Sequence, residues 1–240
     1  SGTTSIVEML DRFRTGLTND TEMQRFWNAD MGQAYTPEGS KITRQMIEKC
    51  IRDYASGPEK GIVIAGVDVG SFYNFVIARL LPDGRFKVLH IGKERETTQV
   101  IEKLKQYGVC CGVIDGLPET RASKKIASKI KLMFLCYFSH GKKDSIDLQS
   151  RIITVDRTSS LDAVKEAIAL QTLIYPRDTL NKEEFINQMT ASTRVVNREL
   201  RKNKTVMSVD WVEGSKADHW FLATGYCLIA KRLLILLNQR

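Results

Sequence analysis

Three aspartates stand out from the 28 acidic residues of this chain by their surroundings. Asp68 lies near the end of an apolar run, within Gly66-Val-Asp-Val-Gly70, where a glycine allows close approach of another group. Asp115 ends a second apolar run, within Val113-Ile-Asp-Gly116. Asp218 falls in Gly214-Ser-Lys-Ala-Asp-His-Trp220, at the predicted first turn of a helix. Strand ends are where open α/β sheets present ligands. If the three acids meet, their mutual repulsion calls for cations, and oxygen-only donors select hard divalent ions such as Mg²⁺ or Mn²⁺. Two such ions, roughly 3.5 to 4 Å apart, activate a water and stabilise the leaving oxygen in phosphodiester cleavage.

Each acid also has a plainer reading. Asp-x-Gly and Asp-Gly are ordinary turn chemistry, and Ser215-x-x-Asp218 fits a capping box. The order in which they occur, first strand, later strand and last helix, favours a shared site. Asp156 and Asp210 rank below them. Arg157 adjoins Asp156, and the alternation around Asp210 turns that side chain to solvent. His219 adjoins Asp218 but points about 100° away from it on a helix, so it would stand behind the acids.

Two basic clusters follow. Arg121, Lys124 and Lys125, with Lys129 and Lys131, form one after Asp115. Arg198, Arg201, Lys202 and Lys204, with Arg194, form the other on a predicted hairpin and its tip. Either is a solvated face or a surface for the phosphates of a nucleic acid, and the projecting hairpin tip is the better candidate. Aromatic residues do not interleave there, which argues against a platform for stacked single strands.

The elements that must position these groups are legible from periodicity. Residues 1–55 are predicted to be helical, with a turn at 35–40, and Gly57 and Pro58 break the pattern. The boundary therefore falls at 58, leaving an N-terminal helical segment at 1–58 and a larger domain at 59–240. Strands are predicted at 62–68, 72–81 and 85–91, with Pro82-Asp-Gly84 as the turn between the last two. There follow a helix at 97–107, a strand at 109–114, a basic helix after Pro118, strands at 132–138 and 151–155, and a helix at 161–173. Alternation at 193–200 and 205–212 predicts the hairpin. From about 216 a helix apolar on nearly all sides must lie against a sheet. Meander, then strand–helix alternation, then a buried last helix is a mixed α/β layout.

Composition sets the wider limits. The 240 residues are 42% apolar and 27% charged, an ordinary globular mix that excludes a peptide hormone or a disulfide miniprotein. The 36 Lys and Arg against 28 Asp and Glu leave a charge of +8. Residues 1–60 hold 8 basic and 9 acidic groups, so the surplus lies beyond them and a polyanion is the first partner to consider. The five cysteines lack Cys-x-x-Cys spacing and are expected to be reduced core residues, with no zinc site. No leader pattern opens the chain. The apolar stretch Trp220–Ala230, interrupted by Lys231 and Arg232, is expected to be too short to span a bilayer, so the expected location is cytosolic.

Residues 61–240 resemble the nuclease domain of tailed-phage large terminase subunits, which has the RNase H-like fold. The motifs that carry the resemblance are Gly66-Val-Asp-Val-Gly70, Val113-Ile-Asp-Gly-Leu-Pro-Glu119 and Ala217-Asp-His-Trp-Phe-Leu-Ala223. Residues 20–54, with Phe26-Trp-Asn-Ala-Asp-Met-Gly-Gln-Ala-Tyr35, look like the segment joining motor and nuclease domains in that family. The resemblance implies an RNase H-like mixed sheet flanked by helices, with a small helical N-terminal segment and a basic β-hairpin insertion. It implies that Asp68, Asp115 and Asp218 hold two Mg²⁺ or Mn²⁺ ions and cut double-stranded DNA as the genome is packaged, in the cytoplasm of the infected bacterial host. It further implies a terminase small subunit, a portal protein and an ATPase motor domain as partners. No Gly-x-x-x-x-Gly-Lys-Ser/Thr occurs, so the motor domain is expected to be missing from this chain, and Ser1-Gly2 to be a remnant of cloning. The rivals are a Holliday-junction resolvase or integrase on the same scaffold, an actin-like or sugar-kinase domain, and a non-catalytic DNA-binding assembly module. The kinase reading needs a second glycine-rich phosphate loop, which the sequence lacks.

Overall fold

A short strand, β1 (Ile51–Arg52), precedes the predicted meander, which forms as β2 (Ile62–Val69), β3 (Tyr73–Leu80) and β4 (Phe86–Glu94), each antiparallel to the next. The computed structural model describes residues 5–17, 22–23, 26–32, 40–179, 182–201 and 204–238, with the backbone alone at 16, 28, 197–201, 204–207 and 238. The β3–β4 turn closes with Leu81 N–H donating to the Arg85 carbonyl at 2.9 Å, and Gly84 takes the left-handed φ of +84° that the turn requires.

From β2 the sheet extends through β5 (Cys111–Asp115), β6 (Leu132–Ser139) and β8 (Ile152–Asp156), each parallel to its neighbour, and ends at β7 (Ser145–Asp147), antiparallel to β8. On the other side β9 (Leu173–Pro176) runs parallel to β4, and β1 parallel to β9. The full order is β1-β9-β4-β3-β2-β5-β6-β8-β7. Its centre, β4-β3-β2-β5-β6 with only β3 reversed, is the RNase H-like mixed sheet.

The helices are α1 (Ile6–Gly16), α2 (Arg44–Glu48), α3 (Thr97–Gln106), α4 (Thr120–Ala127), α5 (Arg157–Ala169), α6 (Lys182–Met189) and α7 (His219–Asn238), with a π-helical turn at Phe26–Asp30. Two compact units result. The smaller joins 1–42 to 192–212 and contains α1 and the hairpin of β10 (Thr193–Arg201) and β11 (Lys204–Val212), with a bridge from Lys41 to Thr193. The larger joins 43–191 to 213–240 and contains the whole nine-stranded sheet. Residues 43–58, expected in the N-terminal helical segment, lie in the larger unit because β1 adds to the edge of its sheet.

The helix predicted to run to 173 stops at Ala169, and residues 173–176 form β9 instead. Gln171 at φ +52° ends the helix, and Thr172 N–H turns back to the Ala167 carbonyl at 2.9 Å. Leu173-Ile-Tyr-Pro176 is buried at every position, and such a short apolar run cannot be told from a helix end by periodicity. The same ambiguity hid α6, and the short exposed β7 carried no apolar signal.

Alternation along β2 sends Val63, Ala65 and Val67 into a core shared with Ile114, Met133, Leu135, Val100 and Leu104, on the side of α3 and α4. The opposite face is covered by α7, which packs on β2, β3 and β5. His219–Leu237 is long and apolar enough by composition to cross a membrane, contrary to the sequence expectation; Lys231 and Arg232 do not end the helix. In this fold its Trp220, Phe221, Tyr226, Cys227 and Ile229 are buried, with Phe221 and Ile229 each contributing roughly 1.5 to 3 kcal/mol. Lys231 Nζ instead donates to the Gly84 carbonyl at 3.0 Å, and Arg232 pairs with Asp144 at 2.7 Å. Of the five cysteines expected in the core, Cys50, Cys111, Cys136 and Cys227 are buried, whereas Cys110 is exposed.

His90 on β4 stacks on Tyr107, with ring centroids 5.1 Å apart. Burial, with Lys103 nearby, pushes it from its usual 6.5 down to about 4. Above pH 6.5 the ring is neutral in both folded and unfolded chains and the full stability is present. As pH falls towards 4 the unfolded chain takes up the proton first, so stability is lost across that window. Because the ring is partly exposed, the loss is expected to be about 2 kcal/mol. Denaturant titrations at pH 7 and pH 4.5 check it: His90→Phe loses less stability between the two than the parent chain.

Candidate active site

Asp68 and Asp115 end two adjacent parallel strands. The β2–β5 register sets Val67 beside Ile114, which brings Asp68 opposite Asp115. Since Val67 and Ile114 face the α3–α4 core, Asp68 and Asp115 face α7. Gly66 sets the distance to that helix. A Cβ there would overlap backbone atoms of Ala223 and Cys227 and sit 2.8 Å from the Tyr226 carbonyl carbon, so α7 rests directly on the strand. The first turn of α7 is fixed from two further sides: Trp220 N–H donates to Gln188 Oε1 of α6 at 3.1 Å, and Trp220 Nε1–H donates to the Gly92 carbonyl of β4 at 3.1 Å.

These contacts hold the start of α7 at the strand ends. Asp68 is 3% exposed, and its Oδ2 lies 2.9 Å from His219 Nδ1. Burial pushes Asp68 above the usual carboxylate range; the hydrogen bond and charge of His219 oppose that, and the charge of Asp218 adds to it. The bond to Asp68 in turn raises His219. Asp218 is likewise 3% exposed. It immediately precedes the helix, its carbonyl accepting Leu222 N–H at 3.0 Å, so the expected place in the first turn with Ser215 as cap is corrected by one turn.

Asp115 accepts Leu117 N–H on Oδ1 at 3.1 Å, and the Tyr226 side chain interacts with it. Burial, reinforced by the charge of Asp68, pushes it up to about 6. Asp68 is therefore coupled to both of the others: the charge of Asp218 raises it, and its own charge raises Asp115. Among the described residues no three His, Cys, Asp or Glu side chains form a group that could hold a metal ion as they stand. His219 occupies Asp68 in this arrangement.

Sequence reasoning did not single out Tyr226, and it set His219 behind the acids. The two are seven residues apart on α7, and with Ala223 between them they share one face. That spacing was the available signal. Tyr226 is almost fully buried and stacks on Phe138 at 5.0 Å.

The lower-ranked acids have other work. Asp156 caps α5, accepting the N–H groups of Ser159 and Gly141, each at 2.8 Å. Asp210 is on β11, half-buried, and accepts Trp211 N–H at 2.9 Å. Arg121, Lys124 and Lys125 project from the exposed side of α4, whose Ser123, Ile126 and Ala127 are buried. Lys124 and Arg151 line a cleft of about 310 Å³ floored by Met133 and Leu135. Arg198, Arg201 and Lys204 belong to the hairpin strands, where the backbone alone is described, and Lys202 lies outside the described residues.

Solved structures similar to this chain include several from phage large terminases and a yeast mitochondrial Holliday junction resolvase, the latter 12% identical with a TM-score of 0.34, covering 81% of this chain and 89% of that one. The large terminase nuclease of thermophilic phage G20c is 9% identical with a TM-score of 0.48, covering 75% of this chain and 94% of that one. The large terminase of bacteriophage HK97 is 10% identical with a TM-score of 0.47, covering 94% of this chain and 50% of its own length, so this chain spans about half of that protein. The P22 large terminase nuclease domain is 13% identical with a TM-score of 0.49, covering 80% and 90%. No family model and no curated protein matches the sequence.

Proposed function

We propose that the chain is a divalent-metal-dependent endonuclease, the nuclease portion of a phage large terminase that cuts double-stranded DNA during packaging in the host cytoplasm. The observation that carries the reading is Asp68, a carboxylate 3% exposed that the charge of Asp218 raises and whose charge in turn raises Asp115. Like charges crowded and desolvated in this way disfavour one another, and the oxygen-only donor set is the kind that Mg²⁺ or Mn²⁺ relieves. Asp68, Asp115 and Asp218 would hold two ions. Bound there, such ions supply a water nucleophile at neutral pH and offset charge on the leaving oxygen.

The remaining roles fall to the chain's own groups. His219 holds one oxygen of Asp68, and the Tyr226 side chain interacts with Asp115, so α7 acts on both carboxylates. Arg121, Lys124 and Lys125 would hold backbone phosphates, as would Arg198, Arg201, Lys202 and Lys204 of the hairpin. Contacts of this kind carry no base information, so cutting is expected to be largely independent of sequence. Assembly with a small subunit, a portal protein and a motor domain belongs to the same reading. Incubation of supercoiled plasmid with the chain tests it: nicked and linear products are expected with Mg²⁺ or Mn²⁺ and none with EDTA. Preference for four-way junctions over linear duplex would replace this reading by a resolvase, and salt-sensitive binding without cutting by an assembly module.

A further inference from the structure

Asn74 is the residue of β3 paired directly with Asp68 of β2. Its neighbours Tyr73 and Phe75 face the α3–α4 core, so Asn74 faces α7, on the same side of the sheet as Asp68. Residues directly opposite in an antiparallel pair have Cβ atoms about 4.5 to 5.5 Å apart, close enough for their side chains to share a ligand. Asn74 is 1% exposed, and its Oδ1 has no hydrogen-bond partner. A buried amide carbonyl without a partner is rare because desolvation is then uncompensated. An apolar side chain would fill the same space without that cost. The sheet instead places an unpartnered oxygen beside a buried carboxylate that the charge of Asp218 disfavours and whose own charge disfavours ionised Asp115.

We infer that the Asn74 side-chain carbonyl supplies a further oxygen donor to the divalent cation held at Asp68. Hard divalent ions accept amide oxygens alongside carboxylates, and a neutral donor completes a shell without adding to the repulsion among the three acids. Asn74 is thus the partner of Asp68 on the strand that the acid-based reading leaves out. The inference deepens the proposed function and rests on it.

Calorimetric titration of the full chain with MnCl₂, paired with thermal unfolding in EDTA, tests it. Asn74→Leu keeps the shape and removes the oxygen. It is expected to weaken Mn²⁺ binding about tenfold or more, while the Tm in EDTA stays level or rises because an unpartnered polar group has gone. Asn74→Asp adds a charged oxygen, and it is expected to bind Mn²⁺ more tightly and to melt earlier in EDTA. Should Asn74→Leu fail to fold, the Asp variant decides alone. Parent-like Mn²⁺ affinity in the folded variants overturns the inference and leaves the three-acid site standing. Absence of Mn²⁺ binding by the parent chain overturns both.

Discussion

Asp68→Asn is expected to cut metal-dependent nicking of supercoiled plasmid by about a thousandfold while changing the unfolding free energy by about 1 kcal/mol or less. The two halves of this expectation have separate causes. Asp68 is the acid that interacts with both Asp218 and Asp115, so neutralising it removes the member of the proposed donor set that is coupled to the other two. Stability changes little because Asn keeps the shape and its Oδ1 still accepts from His219 Nδ1, and because losing a desolvated charge offsets the weaker hydrogen bond. Gel assays of plasmid nicking in Mn²⁺ read the first half and urea titrations the second. Asp156→Ala is the contrast. It removes the cap of α5, is expected to cost about 1 kcal/mol, and leaves nicking at the parent rate. Parent-like nicking by Asp68→Asn would remove the site from the molecule.

The second large effect is structural. Gly66→Ala adds one methyl group, yet that methyl has nowhere to go, because the atoms it meets are backbone atoms of α7 at Ala223, Tyr226 and Cys227. Side chains rotate away from such a clash; a helix backbone does not. The helix must lift from β2, which loosens the packing of its buried face and moves Asp218 and His219 away from Asp68. The expected cost is about 3 kcal/mol or more, a large share of a typical domain's total stability. A lowered urea midpoint with unchanged secondary structure at 25 °C is the expected reading. Gly70→Ala is the internal comparison. Its Cβ would meet nothing nearer than His219 Cε1 at 3.6 Å, an ordinary contact, so its midpoint is expected to stay close to the parent value.

That pair of glycines marks where one dimension ends. In Gly66-Val-Asp-Val-Gly70 they flank the same aspartate symmetrically, and nothing local distinguishes them. Only the docking of a helix more than 150 residues later in the chain makes one indispensable and the other ordinary. Legibility elsewhere followed contact range. The β2–β3–β4 meander, α3 and the hairpin were readable because alternation, helical spacing and the Pro82-Asp-Gly84 turn are local signals. The short β9 and α6 were not, because four buried residues or two helical turns carry too little periodicity to decide between states. The apolar terminal helix was recognised, from about 216 to the end of the chain, and it forms at His219–Asn238. Lys231 and Arg232 find partners at Gly84 and Asp144, groups that no local pattern could supply.

The same division holds at the site. The sequence by itself determined the three aspartates, their places at two strand ends and the start of the last helix, and the basic character of the helix after Pro118, because residue type and local spacing suffice for these. The tertiary structure decided that Asp68 is coupled to both other acids, that His219 and Tyr226 act on it and on Asp115 from one face of α7, that Asp156 is a cap, and that Asn74 lies beside Asp68 with an unpartnered oxygen. Each of these depends on cross-strand register and on helix-to-sheet docking, which bring together groups far apart in the chain. Desolvation and charge coupling act through distance in space, and the linear order does not contain it.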